Sequence, residues 1–246
     1  MKTFRTDLHI HTVLSPCGDL EMSPANIVSS AIRQGLNIIG ITDHNSTKQC
    51  ETVWKLGTNL GLTVIPGCEI TSREEVHSLA LFADFDALAV FQDFLDRHLT
   101  IIPNISNLFG YQVVVDENDQ ILEEIDGYLG ASIDASIEEV EQKVHELSGI
   151  FIPAHIDRPR NSLFSQLGFI PPELKVDALQ ISKLADEKAV REKYRIAPEI
   201  TLVKFSDAHY PGDVGKTFTF FEMEKPTFIE MRKALLGEDG RWVHIP

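Results

Sequence analysis

The sequence predicts an α/β fold in which strands form a barrel or an open sheet. Short apolar runs alternate with longer amphipathic segments along the chain, and this is the pattern of strands alternating with helices. The length of 246 residues is common for one α/β barrel. Hydrophobic residues at 43% and charged residues at 24% are ordinary globular values, which argue against disorder and coiled coil.

The first part of the chain predicts the order βαβαββα. Ser23 and Pro24 have the residue types of a helix N-cap and first turn, and the apolar run NIIGITD at 37–43 is typical of a buried parallel strand. The predicted elements are strand 4–11, a helix from Ser23-Pro24 to near Gly35, strand 37–43, helix 47–60, strands 62–70 and 76–82, and helix 87–98.

Residues 100–135 interrupt this alternation. The segments 111–115 and 120–125 flank the polar turn DEND and predict a β-hairpin. Such a hairpin is too small to hold its own core. We therefore expect a single domain over residues 1–246 that carries an insertion at about 100–135.

The last part of the chain returns to strands and helices. Ser136 and Glu139 predict a capping box for a helix that ends near Ser148. The remaining predicted elements are strands 150–153, 176–181, 200–205 and 218–223, a helix at 226–236, and a tail after Gly237.

Charge and cysteine content restrict the expected partners and location. The net charge of −15 disfavours nucleic acid and anionic membranes, which reward clustered Lys and Arg. Three cysteines without CxxC spacing argue against a disulfide framework and favour a reducing compartment. The start of the sequence resembles no signal peptide, and no run of 18 apolar residues occurs. These observations predict a cytoplasmic protein that does not span a membrane.

Histidines and carboxylates recur where predicted strands end, which indicates a metal site. His9 and His11 lie two apart on a strand and so share a face. Strand ends meet at one face of a barrel or sheet, where active sites lie. The other residues of this kind are Asp43, His44, Glu69, His77, His155, Asp207 and His209.

The mixture of imidazoles and carboxylates suits zinc, manganese or iron, and there are enough groups for two or three ions. A glutamate such as Glu69 can bridge two ions through its two oxygens. Cys17 and Cys68 are expected to be small buried apolar residues rather than ligands. His98 and His145, on predicted helices, and His244, in the tail, are expected to lie outside the site.

The segments that carry these residues resemble, in order, the motifs of the PHP (polymerase and histidinol phosphatase) family. The segments are DLHIHTVLSPCGD, ITDHN, PGCEI followed by His77, PAHIDRP and SDAHYP, and they span residues 7–211. The resemblance implies a distorted (β/α)7 barrel with a trinuclear metal site at the carboxyl-terminal face of the strands.

The resemblance also implies a ligand set for each ion. Residues His9, His11, Glu69 and Asp207 would hold the first ion, and Glu69 would bridge to a second ion held by His77 and His155. A third ion would be held by Asp19, His44 and His209. Asp43 would orient a ligand rather than bind metal. Asp19 lies in the polar loop SPCGD, where a role in a turn is the competing interpretation.

The chemistry that both the family and the residue types imply is phosphoester hydrolysis. Paired ions lower the pKa of a bridging water to give hydroxide, and they neutralise charge on the phosphoryl oxygens. The candidate catalytic residues are His44, His209 and Asp207, and either histidine or a metal-bound water could protonate the leaving group.

Three basic residues are candidates for substrate contacts. Arg158, shortly after His155, has the guanidinium fork that matches phosphate oxygens, although a surface salt bridge explains it nearly as well. Arg73 and Lys183 are weaker candidates of the same kind.

The leading hypothesis is a phosphatase or phosphodiesterase that acts on a small phosphorylated metabolite or nucleotide. A nuclease of the same family is a second hypothesis, although the acidic balance counts against nucleic acid as substrate. Amidohydrolase chemistry is a third, and a regulatory module that binds metal without turnover is a fourth. The oligomeric state stays open.

Overall fold

A computed structural model describes all residues, 1–246, as an α/β structure. The strands are β1 (Lys2–Ile10), β2 (Ile38–Ile41), β3 (Thr63–Thr71), β4 (His77–Leu81), β5 (Val113–Val115), β6 (Ile121–Glu124), β7 (Ile150–Pro153), β8 (Leu179–Gln180), β9 (Leu202–Val203), β10 (Thr219–Met223) and β11 (Trp242–His244). The helices are α1 (Pro24–Arg33), α2 (Cys50–Asn59), α3 (Phe85–His98), α4 (Ser106–Phe109), α5 (Ile137–Glu146), α6 (Leu163–Gln166), α7 (Glu187–Tyr194) and α8 (Phe228–Leu236), with a 3-10 turn at Glu238–Gly240.

The main sheet has the strand order β11-β10-β1-β2-β3-β4-β7, and β8 and β9 form a short parallel pair. The peptide N–H of Asp177 donates to the carbonyl of Phe151, which joins the β8 segment to β7. At the other side, Ala208 exchanges backbone hydrogen bonds with His9 and His11 and so joins the chain after β9 to β1. Strands β1, β2, β3, β4, β7, β8 and β9 therefore close into a distorted seven-stranded barrel, which confirms the predicted fold class.

Strand directions explain how the barrel collects polar residues at one end. Strands β1, β2 and β3 are mutually parallel, whereas β4 is antiparallel to both β3 and β7. Because β4 runs in the reverse direction, its first residue, His77, lies at the same end as the last residues of β1, β3 and β7.

The helices form where the sequence carries the appropriate caps and apolar faces. The capping box at the start of α5 is present, since Ser136 accepts from the peptide N–H of Glu139 and the Glu139 carboxylate accepts from that of Ser136. Helix α8 contributes Met231 and Leu235 to a buried cluster with strand residues such as Leu79. The burial of these apolar faces fixes the helices against the barrel.

Three parts of the chain differ from the sequence prediction. The late strands β8 and β9 are only two residues long, and the residues after Gly237 form no free tail. The residues after Gly237 form the 3-10 turn and then β11, which pairs with β10. The short helices α4 and α6 and the helix α7 were not predicted. Charged residues around Trp242 hide the apolar pattern of a strand. The segment is a strand only because it pairs with β10.

The hairpin within 100–135 is confirmed as β5 and β6, and it packs on the loops that leave β1 and β2. Val113 donates to the carbonyl of Val13, and the peptide N–H of Val115 donates to the side chain of Gln49. Lys48 pairs with Glu123 of β6 at 2.6 Å. The hairpin therefore lies at the same end of the barrel as the strand-end histidines.

None of the helices has both the length and the apolar character that a membrane crossing requires.

A cluster at the opposite side of the barrel gives a pH-dependent contribution to stability. His145 Nε2 lies 2.9 Å from Asp177 Oδ2, and its Nδ1 contacts Glu141. Both partners are carboxylates, so the doubly protonated imidazole is favoured, and Asp177 above all raises the pKa of His145. This stabilisation is complete below the unfolded-state value of about pH 6.5 and is lost as pH rises through the raised folded-state pKa.

We therefore expect His145→Gln to destabilise the protein more at about pH 6 than at about pH 9, as measured by urea unfolding. The matched control is His98→Gln, since His98 Nδ1 contacts only the Phe94 carbonyl of its own helix. An equal loss at both pH values for His145→Gln would contradict the assignment of this charge pair.

Candidate metal centre

The pair His9 and His11 forms the base of a buried polar cluster at the end of β1. Both side chains are fully buried, and their Nε2 atoms are 3.2 Å apart. His9 Nδ1 lies 2.9 Å from Gln180 Oε1, and His11 Nδ1 lies 2.9 Å from Ser15 Oγ. These contacts hold the Nδ1 side of each ring, so each Nε2 faces the cluster; in metal sites, a hydrogen bond to the other ring nitrogen orients a histidine ligand in the same way.

Asp43 fixes the loop that follows β1. Its carboxylate accepts hydrogen bonds from the peptide N–H and the hydroxyl of Thr12, at 2.7 and 2.8 Å, and from Ser15 Oγ at 2.6 Å. Because the Ser15 hydrogen is used on Asp43, its oxygen is free to accept from His11 Nδ1–H. Asp43 therefore acts through Ser15 on His11 and does not itself face the other ligand atoms.

Glu69 lies at the centre of the cluster, and its two oxygens face different histidines. Oε2 is 3.3 Å from His9 Nε2, His11 Nε2 and His44 Nδ1. Oε1 is 3.0 Å from His77 Nδ1 and 3.2 Å from His155 Nε2. This division of contacts is what a carboxylate that bridges two ions requires.

Asp207, His209 and His155 complete the cluster from the late strands. Asp207 Oδ1 is 3.3 Å from both His9 Nε2 and His11 Nε2. Asp207 and His155 have positive φ values of 50° and 30°, in a region that non-glycine residues rarely occupy. Such strain is found where a functional arrangement over-determines the backbone.

The electrostatics of the cluster keep three of its imidazoles neutral. Burial lowers the pKa of His155 and that of His44, the latter well below its usual range. Burial, assisted by His11, lowers the pKa of His209 to about 4. Neutral imidazole is the form that binds metal.

The carboxylates remain ionised despite their burial. For Glu69, burial is outweighed by His9, His77 and His44, and its pKa lies well below the usual value. Burial is likewise outweighed at Asp207, mainly by His9 and His11, so its pKa is lowered. In turn Glu69 and Asp207 overcome the effect of burial on His9 and His11 and raise their pKa values.

The residues present fit divalent metal ions. The structure brings three sets of potential ligand atoms within 4.8 Å of one another, and these sets are His9, His11, Glu69 and Asp207; His44, Glu69 and His77; and His11, Cys17, His44 and His209. The buried Nδ1 of His44, which lies on the cluster side of the ring, has no hydrogen-bond partner. Buried polar atoms are rarely left without a partner, and an ion would supply one for a histidine nitrogen that faces the cluster.

The structure gathers every predicted metal ligand except Asp19. Asp19 Oδ1 accepts from the peptide N–H of Glu21 at 2.8 Å, in a local turn, so the turn interpretation describes this carboxylate. Cys17 lies in the cluster instead, and its Sγ is 3.1 Å from His209 Nε2. Cys17 is exposed, so the expectation of a buried apolar residue is wrong for Cys17 and confirmed for Cys68.

The three basic candidates have different surroundings. Arg158 is paired with Asp207 at the edge of the cluster, with 37% of its side chain exposed. Arg73 forms surface salt bridges with Asp134 and Glu139 and does not contact the cluster. Lys183 is exposed and forms no ion pair.

The histidines that were expected to lie outside the site do so. His98 and His145 are on α3 and α5, whereas His244 is on β11 and packs against Phe220.

Four positioning residues were not singled out from the sequence. They are Thr12, Ser15, Gln180 and Asn161, whose Nδ2 is 2.9 Å from His77 Nε2. A glutamine in the apolar run DALQIS was a usable signal for Gln180, because a buried strand rarely contains an unpaired amide. The other three are ordinary loop residues that only the fold brings to the site.

Comparisons with known proteins identify the family and the fold. The PHP domain family matches residues 7–160. The uncharacterized protein YqxK of Bacillus subtilis (strain 168) is 30% identical over 107 residues, which are 42% of this chain and 27% of YqxK.

Solved structures share the fold. The lesion-specific endonuclease PfuEndoQ of Pyrococcus furiosus has a TM-score of 0.76 at 23% identity, covering 98% of this chain and 58% of that one. A provisionally named metal-dependent phosphoesterase of Bifidobacterium adolescentis has a TM-score of 0.55 at 18% identity, covering 84% and 88%. The chain thus spans less than two thirds of the length of YqxK and of PfuEndoQ.

The central position of Glu69 leads to a test of metal content. We expect Glu69→Gln to weaken metal binding by roughly tenfold or more, because it removes the negative charge shared by five imidazoles. The measurement is metal per chain by inductively coupled plasma mass spectrometry after dialysis. His98→Ala is the control and is expected to retain the wild-type content. Unchanged metal in Glu69→Gln would show that this carboxylate is not a ligand.

Proposed function

The chain belongs to the PHP domain family, and on that premise we propose that it is a metal-dependent phosphoesterase acting on a small phosphorylated substrate. The observation that supports this proposal is the convergence of histidines and carboxylates from separate strand ends around Glu69. We treat residues 1–246 as one domain with the hairpin region as an insertion. We also propose a cytoplasmic location, because all three thiols are free, as a reducing compartment keeps them.

We assign the ligands of the first ion to His9, His11, Glu69 and Asp207. Those of the second ion are Glu69, His77 and His155, while His44 and His209 contribute to a third. Mixed imidazole and carboxylate ligands suit zinc, manganese or iron. Such ions, when bound, activate water at neutral pH and neutralise charge on phosphoryl oxygens.

The protein's own groups would position the substrate. Asp207 divides its oxygens, with Oδ1 toward His9 and His11 and Oδ2 toward Arg158. When Arg158 turns to a phosphate, Oδ2 becomes free to accept a hydrogen bond from an attacking water. We keep Asp207, His44 and His209 as the catalytic candidates, and Arg158 as the phosphate contact.

The charge around the site favours a small substrate over a polyanion. Residues 98–142 contain no Lys or Arg, and the β5–β6 hairpin in this stretch carries Asp116, Glu117, Asp119, Glu123 and Glu124. Because the hairpin packs on the loops after β1 and β2, this negative charge lies at the same end of the barrel as the cluster, and only Glu123 is paired, with Lys48. A nucleic acid would be repelled there, since its binding depends on phosphate neutralisation by Lys and Arg.

A nuclease is the second candidate. It is favoured by the similarity of almost the whole chain to the lesion-specific endonuclease of Pyrococcus furiosus. The two candidates differ in the substrate they require, and one assay separates them.

The test is hydrolysis of a panel of phosphate monoesters, diesters, nucleotides and lesion-bearing duplex DNA, with added manganese or zinc and with chelator as control. We expect chelator-sensitive turnover of a small ester. Cleavage of the duplex alone would support the nuclease. No turnover of any substrate by metal-loaded protein would contradict the phosphoesterase proposal and favour a regulatory module.

Arg158 gives a further test of substrate binding. We expect Arg158→Ala to raise KM for the preferred phosphate ester by about tenfold while the metal content stays unchanged, because a charge-assisted hydrogen bond to phosphate is lost. Arg158→Lys keeps the positive charge but lacks the guanidinium fork, so its KM should lie between those of the wild type and Arg158→Ala. Loss of metal in Arg158→Ala would instead mean that the arginine holds Asp207 in place.

A further inference from the structure

We propose that Cys17 Sγ, and not the Asp19 carboxylate, completes the third ion site with His44 and His209. The inference rests on the proposed metal centre and specifies which kind of ion its third position takes. It departs from the ligand set implied by the family resemblance, because Cys17 and not Asp19 is grouped with His44 and His209 in the structure.

The ligand atoms of Cys17, His44 and His209 lie within 4.8 Å of one another, together with His11. His11 Nε2 and His44 Nδ1 are each 3.3 Å from Glu69 Oε2, but only His11 is also 3.3 Å from Asp207 Oδ1. We therefore assign His11 to the first ion and keep His44 for the third. One sulfur and two imidazole nitrogens then remain for the third ion.

The loop after β1 is built to hold the thiol in this position. Two tight turns run through it, since Ser15 N–H donates to the Thr12 carbonyl and Gly18 N–H donates to that of Ser15. A Cβ at Gly18 would lie 2.3 Å from the Thr12 oxygen, so this turn needs glycine. The peptide N–H of Asp19 donates to the His209 carbonyl at 2.9 Å. This bond ties the loop directly to the residue that Cys17 faces.

The hairpin region supports the same loop from outside. Gly110 packs so closely on Pro16 that a Cβ at that glycine would be 2.0 Å from the Pro16 carbonyl oxygen. Backbone contacts of Pro16, Gly18 and Asp19 therefore fix the chain on both sides of Cys17, while Cys17 itself is exposed to solvent.

The orientation of His209 provides a second observation. Its Nδ1 is 2.9 Å from the Asp207 carbonyl, and a carbonyl can only accept, so Nδ1 carries the hydrogen. The Nε2 lone pair is thereby directed at Cys17 Sγ, 3.1 Å away. A backbone carbonyl on one nitrogen and a free lone pair on the other is the usual arrangement of a histidine ligand.

His44 provides a third observation. Its side chain is 10% exposed, and its buried Nδ1 forms no hydrogen bond although it lies 3.3 Å from Glu69 Oε2. Asp19 belongs to none of the three sets of ligand atoms, and its Oδ1 accepts from the peptide N–H of Glu21 in the local turn.

A sulfur ligand changes which ion this position prefers. Thiolate and imidazole select zinc and other soft or borderline ions, whereas carboxylate sites suit manganese and magnesium. On binding, the S–H bond breaks, the sulfur–metal bond forms and the proton leaves to solvent. The third position is therefore selective for zinc or cobalt over manganese, unlike the first set with its two carboxylates.

The first test uses cobalt as a spectroscopic probe. We expect cobalt-loaded protein to show a thiolate-to-cobalt charge-transfer band in the near ultraviolet. Cys17→Ser should lose this band and bind zinc at least about tenfold more weakly. Loss of a residue that only hydrogen-bonds to a metal ligand already weakens binding by about this factor, and loss of the ligand itself should cost no less. Cys50→Ala, which removes a buried thiol on α2, and Asp19→Asn should both keep the band.

The second test uses the exposure of Cys17, because Cys50 and Cys68 are buried. Iodoacetamide should alkylate Cys17 in metal-free protein, and zinc should slow this reaction while an equal concentration of manganese should not. Peptide mapping by mass spectrometry identifies the modified residue. Circular dichroism of metal-free Cys17→Ser confirms that the variant is folded.

Either of two results would overturn the inference, namely a band that survives in Cys17→Ser or alkylation that zinc does not slow. Loss of cobalt from Asp19→Asn but not from Cys17→Ser would identify Asp19 as the ligand instead. Neither readout involves turnover, so a protein that shows the band but hydrolyses nothing would contradict the proposed function and leave this inference standing.

Discussion

The arrangement of this protein depends on one buried negative charge, the carboxylate of Glu69. A charge removed from water is costly unless other groups compensate it, and nitrogens of five imidazoles lie 3.0–3.3 Å from the Glu69 oxygens. Those imidazoles come from four different segments of the barrel, so their positions require the strands to be closed and in register. The strained backbone at His155 and Asp207 is one consequence, since each turns sharply to face the centre.

The sequence was sufficient for the fold class and for most of the cluster. Strand ends such as those before His44 and His155 were visible as apolar runs followed by a polar residue, and strand direction made their meeting predictable. The capping box at Ser136 was also readable because it depends only on residues three apart. These features are local in the chain, or follow from a general rule about sheets.

The features that were not predictable depend on tertiary contacts. The reversal of β4 arises from pairing with β3 and β7, and nothing within the segment signals it. The strand around Trp242 exists only because β10 offers it an edge. Cys17 and Asp19 are two residues apart in one polar loop, and their different positions relative to His209 depend on the turns around Gly18 and on a backbone hydrogen bond to His209.

The reversed strand β4 also bears on the order in which the cluster can form. Glu69 and His77 lie on the two arms of one antiparallel hairpin, so their approach closes only a short loop and costs little chain entropy. The contact between Asp207 and His9 closes a loop that contains most of the chain. Such distant contacts form late, because the entropy cost of closing the loop comes before the contact contributes any stability. The pair Glu69 and His77 can thus form as a local structure, whereas the contact between Asp207 and His9 can form only once the barrel has closed.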